Sequence, residues 1–147
     1  AQVWIGGRNQ EKLDSIKTSN TDLDITVVAT DYSTVEGVKL LDETLLKTKD
    51  NNNNNENVMF DAVVVSAGPW WPVNNVSKVD DMTVFGKALN SNVESHMLLY
   101  RVLAPRTKSQ YIMINGAAAR GIAQVGLTGV LAYGLEGFAK LAYAECP

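Results

Sequence analysis

The chain has 147 residues, of which 46% are hydrophobic, and its 13 basic and 16 acidic residues give a formal net charge of −3. This size and composition predict a single globular domain over residues 1–147 and, without a basic block, argue against a nucleic-acid partner. No apolar run is long enough to indicate a membrane span. The lone Cys146 excludes an internal disulfide and cannot by itself form a metal site, so we predict no metal and a reducing, cytoplasmic setting.

The first half of the chain alternates between predicted strands and helices. A strand is predicted over residues 2–5, and Asn9 suits the N-cap of the helix that follows. A second, β-branched strand is predicted over residues 24–29, and Ser33 with Glu36 has the spacing of a capping box at the start of the next helix. The buried side of that helix is predicted to consist of Val35, Val38, Leu41 and Leu45.

An asparagine-rich segment, residues 50–57, is predicted to be a solvated loop because it contains no side chain to bury. The strand after it, Phe60–Val65, contains three consecutive valines, which predicts burial on both faces of a parallel sheet. The small residues of Ser66-Ala67-Gly68 end this strand and would let a ligand approach the backbone. Two tryptophans at 70–71 follow, and they suit either stacking on a ligand or closing the core.

The second half is predicted to contain a long helix over 81–103, a strand over 110–114 and a last helix over 127–145. One side of the long helix carries Phe85, Leu89, Asn92, His96, Leu99 and Leu103. One side of the last helix carries Leu127, Leu131, Leu135, Phe138 and Ala142. Its glycines at 129, 134 and 137 predict a close approach to another backbone or a ligand. On a packing face, His96 is interpreted as structural.

The alternation of strands and helices predicts an α/β fold with a doubly wound, Rossmann-like parallel sheet in three α/β/α layers. Residues 5–13 (Ile-Gly-Gly-Arg-Asn-Gln-Glu-Lys-Leu) resemble the end of the second strand in short-chain dehydrogenases/reductases. Ser66-Ala67-Gly68 is similar to that family's Asn-Asn-Ala-Gly turn, and Asn92 falls on its active-site asparagine.

This resemblance implies an NAD(P)-dependent oxidoreductase acting on a small carbonyl or alcohol. It places Arg8 against the 2′-phosphate of NADP, which favours NADP over NAD, and Asp31 against the adenine. It places Ser66, Ala67 and Gly68 beside the nicotinamide ribose. The family's first strand and glycine-rich phosphate loop would precede Ala1, so we expect a chain truncated at both ends, with a gap in the sheet.

The catalytic serine, tyrosine and lysine of the family fall on Gly116, Thr128 and Ala132, so the resemblance is to an atypical member. Of the family's catalytic residues, Asn92 alone has a counterpart here, and whether the chain is an enzyme is left open. The alternatives are a catalytically inactive member that binds a nucleotide or forms a homo-oligomer through helices 81–103 and 127–145, and a fragment without function. We expect neither a nucleic-acid nor a membrane partner.

Overall fold

The computed structural model describes residues 2–48, 58–68, 82–116 and 126–145. It divides into two compact units, Ala1–Val58 and Met59–Pro147, which are called here the N-terminal unit and the C-terminal unit. The predicted loop over 50–57 and the tryptophans at 70–71 lie outside the described residues. The prediction of a single domain stays a prediction.

The N-terminal unit contains two parallel strands and two helices. Its elements are β1 Gln2–Gly7, α1 Gln10–Ser19, β2 Asp24–Ala29 and α2 Val35–Lys47. The register runs from Gln2 opposite Asp24 to Gly7 opposite Ala29, and α1 makes the crossover that two parallel strands require. The buried hydrophobic side chains of this unit are Leu13, Ile25, Val28, Val38, Leu41, Leu45 and Val58.

The two helix starts show one correct and one incorrect prediction. Asn9 is the N-cap of α1, and its Oδ1 accepts the Lys12 backbone N–H at 2.9 Å, as predicted. The cap of α2 is Thr34 rather than Ser33, because the Ser33 hydroxyl donates to the Asp31 carboxylate instead. The helix therefore starts one residue late, and Val35, at its first position, is 59% exposed rather than buried.

The C-terminal unit has the same strand–helix alternation. Its elements are β3 Phe60–Val65, α3 Met82–Leu89, a π-helical turn Asn90–Glu94, α4 Ser95–Leu103, a 3₁₀ turn Ala104–Arg106, β4 Thr107–Met113 and α5 Gly126–Glu145. Strands β3 and β4 pair in parallel, with Val65 opposite Met113. The described strands thus form two pairs, β1–β2 and β3–β4. The expected gap in the sheet stays a prediction.

One face of the β3–β4 pair is covered and the other is open. Val63 and Val65 are buried, whereas Val64 is 59% exposed and Ile112 beside it is 43% exposed. The prediction that β3 is buried on both faces is therefore wrong for Val64. Three valines in a row show that both faces tolerate apolar side chains, but the sequence does not show which face is covered.

The predicted helix over 81–103 is helical over residues 82–103, with a π-helical turn in its middle. A π turn adds a residue to the turn and so changes which side chains share a face. His96 and Leu99, after the turn, are buried as expected, but Leu89, before it, is 43% exposed. Phe85, Asn92 and Leu103 are half-buried, so the predicted face is fully buried only at His96 and Leu99.

Helix α5 begins one residue before its predicted start and ends where expected. Of its five predicted core residues, Leu127, Leu131, Leu135 and Ala142 are buried and Phe138 is half-buried. A Cβ on Gly134 would make an ordinary 3.4 Å contact with Val93, and one on Gly137 would meet nothing within 4 Å. The predicted close approach is thus not found at Gly137.

Candidate functional site

A cavity of about 210 Å³ lies at the carboxyl ends of β3 and β4 in the C-terminal unit. It is bounded by the segment after β3, the π-helical turn, the segment after β4 and the first half of α5. The lining residues are Ser66, Ala67, Gly68, Asn92, Ile114, Asn115, Gly116, Thr128, Leu131, Ala132 and Leu135. Ligands of parallel α/β proteins bind at this end of the strands.

Gly68 ends the segment 66–68 in a conformation that requires glycine. Its φ of 100° lies in the left-handed region, and a Cβ there would be 2.6 Å from Asn92 Cγ. The absent side chain therefore makes room for Asn92. The small residues predicted to admit a ligand serve first to pack the strand end against the helix.

Asn92 is held within its own π-helical turn. Its Nδ2 donates to the Ala88 carbonyl at 3.0 Å and to Ser91 Oγ at 3.1 Å. Ser95 Oγ donates to the Ser91 carbonyl at 2.8 Å. These side chains bond carbonyl groups in and beside the widened turn, which explains how a π turn persists here. The turn presents Asn92 to the cavity in a fixed orientation.

His96 reaches the segment after β3 from the first turn of α4. It is completely buried, and its Nε2 lies 3.1 Å from the Ala67 carbonyl oxygen and 3.3 Å from the Ala67 nitrogen. Burial lowers the pKa of His96 below its ordinary value, partly opposed by the bond to Ala67. The histidine that the sequence analysis interpreted as structural therefore contacts backbone that lines the cavity.

Asn115 was not singled out by the sequence analysis, although it lines the same cavity. Its Nδ2 donates to the Ala132 carbonyl at 2.8 Å, and its Oδ1 accepts the Gly116 N–H at 2.9 Å. The amide thereby ties the end of β4 to α5. A polar residue directly after the strand predicted over 110–114 was the available signal.

The positions aligned with the family's serine, tyrosine and lysine converge in space. Gly116, Thr128 and Ala132 all line the cavity together with Asn92. None of the described lining residues has a charged side chain. These four positions thus border one cavity, while the side chains at them provide no strong acid or base.

The two other predicted cofactor residues belong to the N-terminal unit and follow its two strands. The Ser33 hydroxyl at 2.7 Å and the Ser33 N–H at 3.0 Å hold the Asp31 carboxylate. These bonds, with a smaller contribution from the positive charge of Arg8, lower the pKa of Asp31. Arg8 and Asp31 are therefore close enough to interact electrostatically, and Asp31 is engaged by Ser33.

Within the described part of the chain, no three His, Cys, Asp or Glu side chains group as metal ligands would. Nor does any helix in these ranges have the length and apolar character that crossing a membrane requires.

No family model matches the sequence, and no curated protein matches it. Solved structures do match. The KRED1-Pglu enzyme is 24% identical with a TM-score of 0.78, over 99% of this chain and 58% of that one. L-Sorbose reductase from Gluconobacter frateurii, complexed with NADPH and L-sorbose, is 19% identical with a TM-score of 0.78, over 99% and 54%.

A short-chain type dehydrogenase/reductase from Mycobacterium ulcerans is 19% identical with a TM-score of 0.79, over 99% of this chain and 53% of that one. The chain therefore spans little more than half the length of these three proteins. At such identities the likeness shows the fold. The predicted Rossmann-like α/β fold and the resemblance to short-chain dehydrogenases/reductases are confirmed at that level.

Proposed function

We propose that the protein is an NAD(P)-dependent oxidoreductase that interconverts a small uncharged carbonyl compound and its alcohol. The observation that carries this proposal is the convergence of Asn92, Gly116, Thr128 and Ala132 on one cavity at the carboxyl ends of β3 and β4. The shared fold supports it, as does the presence of NADPH in the L-sorbose reductase structure.

The residues around the cavity fit the nicotinamide end of such a cofactor. The backbone of residues 66–68 borders the cavity without a large side chain in front of it, and a volume of about 210 Å³ admits a planar ring. The nicotinamide, when bound, supplies or accepts a hydride. Ser66 and the amide of Asn92 provide neutral polar groups for orienting it.

The walls of the cavity indicate the class of substrate. Ile114, Leu131 and Leu135 are apolar, and the described lining contains no cation to neutralise an acid. A carboxylate or phosphate buried there would lose its hydration without an ionic partner. The substrate is therefore an uncharged carbonyl compound rather than a keto acid or a sugar phosphate.

The source of the proton differs from that in typical family members. The positions of the catalytic tyrosine and lysine are occupied by Thr128 and Ala132, and an aliphatic hydroxyl is a poor acid at neutral pH. We propose that water delivers the proton to the substrate oxygen as the carbonyl carbon receives the hydride, and that Thr128 orients this oxygen.

Titration calorimetry with NADPH and NADH tests the binding step. We expect heat of binding for at least one of the two cofactors, followed by reduction of neutral ketones but not of the corresponding keto acids. No heat at millimolar concentrations of either cofactor would remove the basis of this function. Turnover of keto acids in preference to ketones would contradict the substrate class alone.

Arg8 supports the choice of NADP. A guanidinium can form bidentate, charge-assisted bonds to a 2′-phosphate that NAD lacks. We expect Arg8→Ala to raise the Kd for NADPH about tenfold or more and to leave the Kd for NADH unchanged. Lys17→Ala removes the same charge from the other end of α1 and is the matched control. An equal loss of affinity for both cofactors would show that Arg8 does not contact the phosphate.

A second function, homodimerisation, is favoured by the surface of α5. Val130, Tyr133 and Leu141 are 43%, 54% and 66% exposed, and with Gly137 they follow a spacing of three, four and four residues. This spacing places them on one side of the helix, where the open space at Gly137 permits close approach. We propose that a second copy of the chain packs on this side.

Sedimentation velocity tests the dimer. We expect a dimer that Leu141→Glu dissociates, because a carboxylate buried at the interface has no partner there. Leu40→Glu makes the same change at an exposed leucine of α2 and should leave the dimer intact. A monomer at the highest attainable concentration would rule the dimer out.

A further inference from the structure

We propose that His96 is a positioning residue, whose imidazole fixes the backbone of residues 66–68 in the shape that borders the cavity. The structural claim stands on the contacts of His96 alone. Its consequence for cofactor affinity rests on the proposed function.

His96 lies in the interior of the C-terminal unit. Ser95 and His96 are adjacent and almost completely buried, at 1% and 0% exposure. Ser95 bonds its own helix through the Ser91 carbonyl, as a serine in a helix commonly does. His96 instead bonds backbone 29 residues earlier in the chain. A buried imidazole loses its hydration, so its place in the core is explained by the backbone groups that it satisfies.

The two ring nitrogens of His96 have different surroundings. Nδ1 is buried and has no hydrogen-bond partner among the described residues. A buried, unpaired N–H is rarer in proteins than an unpaired acceptor, so we place the proton on Nε2. In this tautomer Nε2–H donates to the Ala67 carbonyl at 3.1 Å, and Nε2 does not also accept the Ala67 N–H, whose nitrogen lies 3.3 Å away on half-buried Ala67. His96 then holds Ala67 as a neutral donor.

Two consecutive residues after β3, Ala67 and Gly68, are held by side chains of one helix. Asn92 fills the space above Gly68, and His96, four residues later, bonds Ala67. The π-helical turn Asn90–Glu94 leads directly into the turn that carries His96. The end of β3 is thereby fixed by packing at one residue and by a hydrogen bond at the next.

A fixed backbone binds a ligand without losing conformational freedom at that moment. If residues 66–68 border the nicotinamide ribose, removing the His96 bond weakens binding of the nicotinamide end and leaves the adenosine end unaffected. If His96 only filled space in the core, a substitution of similar volume would leave cofactor binding unchanged. The two roles can therefore be separated by substitution.

The first experiment measures the order of the segment by ¹⁵N relaxation. Leucine fills a similar volume but cannot form a hydrogen bond. In His96→Leu we therefore expect the order parameters of the Ala67 and Gly68 amides to fall from about 0.85 toward 0.6. In His96→Gln, whose side-chain amide can donate to the same carbonyl, they should return to the wild-type values. Amides of β1 and β2 serve as the internal control. Unchanged order parameters in His96→Leu would overturn the proposal.

A measurement on the unaltered protein covers the case in which His96→Leu does not fold. The imidazole ¹⁵N spectrum should show a neutral ring with the proton on Nε2. A ring that exchanges freely between tautomers and titrates like a histidine in water would contradict the proposal without any substitution.

The second experiment measures the functional consequence. We expect His96→Leu to raise the Kd for NADPH about tenfold, His96→Gln to restore it, and the Kd for 2′,5′-ADP to be the same in all three proteins. An equal loss of affinity for 2′,5′-ADP would show general damage rather than positioning. If the unaltered protein binds no NADPH while the order parameters change as expected, the proposed function fails and the role of His96 in the segment stands.

Discussion

Gly68 shows how a single absent side chain shapes the cavity. Its backbone has a φ of 100°, and Asn92 occupies the space where a Cβ would lie. Alanine at this position would face both a strained backbone and a steric clash. Gly86, in the middle of α3, is the opposite case, because a Cβ there would meet nothing within 4 Å.

We therefore expect Gly68→Ala to lower the free energy of unfolding by about 1–3 kcal/mol. Gly86→Ala is the matched control and should raise it by up to about 1 kcal/mol, because alanine is the better helix former. Urea denaturation of both variants provides the measurement. Equal effects of the two substitutions would show that the backbone at Gly68 relaxes freely.

The individual residues of the site were predictable to different degrees. Residues 66–68 and Asn92 were found from the sequence because small residues and an asparagine stand at positions that resemble a known motif. His96 and Asn115 were not assigned to the site. Both donate to backbone carbonyl groups of distant residues, Ala67 and Ala132. Because every residue has a backbone carbonyl, the sequence does not indicate which one a side chain will bond.

Helix α5 is the element that the sequence predicted best. A regular spacing of apolar residues determines which side of a helix is buried, and the four leucine and alanine positions of that side are at most 4% exposed. Leu127 is completely buried, whereas Leu141 on the same helix is 66% exposed. The two leucines provide an internal comparison of packing.

We expect Leu127→Ala to lower the free energy of unfolding by about 2–5 kcal/mol, because it opens a cavity in the core. Leu141→Ala should change it by no more than about 0.5 kcal/mol. Thermal and urea unfolding, followed by circular dichroism, measure both. A large effect of Leu141→Ala at low protein concentration would mean that Leu141 is packed within its own chain.

The helix over 82–103 shows what periodicity misses. A π-helical turn widens the helix at Asn90–Glu94, and no proline stands in the sequence of this helix to mark it. The turn is compatible with the local sequence because Ser91, Asn92 and Ser95 bond nearby carbonyl groups. Their side chains show in retrospect why the turn occurs here.

For the whole molecule, His96 predicts how stability depends on pH. Burial lowers its pKa in the folded chain, whereas the unfolded chain has the ordinary histidine value of 6.5. The unfolded state therefore binds a proton more readily, so stability is complete above pH 6.5 and is lost as pH falls below it. Asp31 acts in a lower range, since its pKa is below the ordinary 3.8.

We expect the urea midpoint of the protein to be constant from pH 8 to about 7 and to decrease between about pH 6.5 and 5. His96→Gln has no titrating group at this position, and its midpoint should decrease less over the same range. The protein has a single histidine, which makes the comparison direct. Parallel curves for the two proteins would show that His96 does not carry the pH dependence.

The sequence by itself determined the order and type of the elements, the exact bounds of β2, the buried side of α5 and the resemblance to a known fold. These properties depend on the local spacing of apolar residues and on turns of small residues, and both can be read from residues that are close together in the sequence. Only the tertiary structure decided that Thr34 rather than Ser33 caps α2, that one face of β3 is open, and that Gly68 and Ala67 are held by Asn92 and His96. Each of these depends on which groups meet in space, where one hydrogen bond or one covered face outweighs local preference.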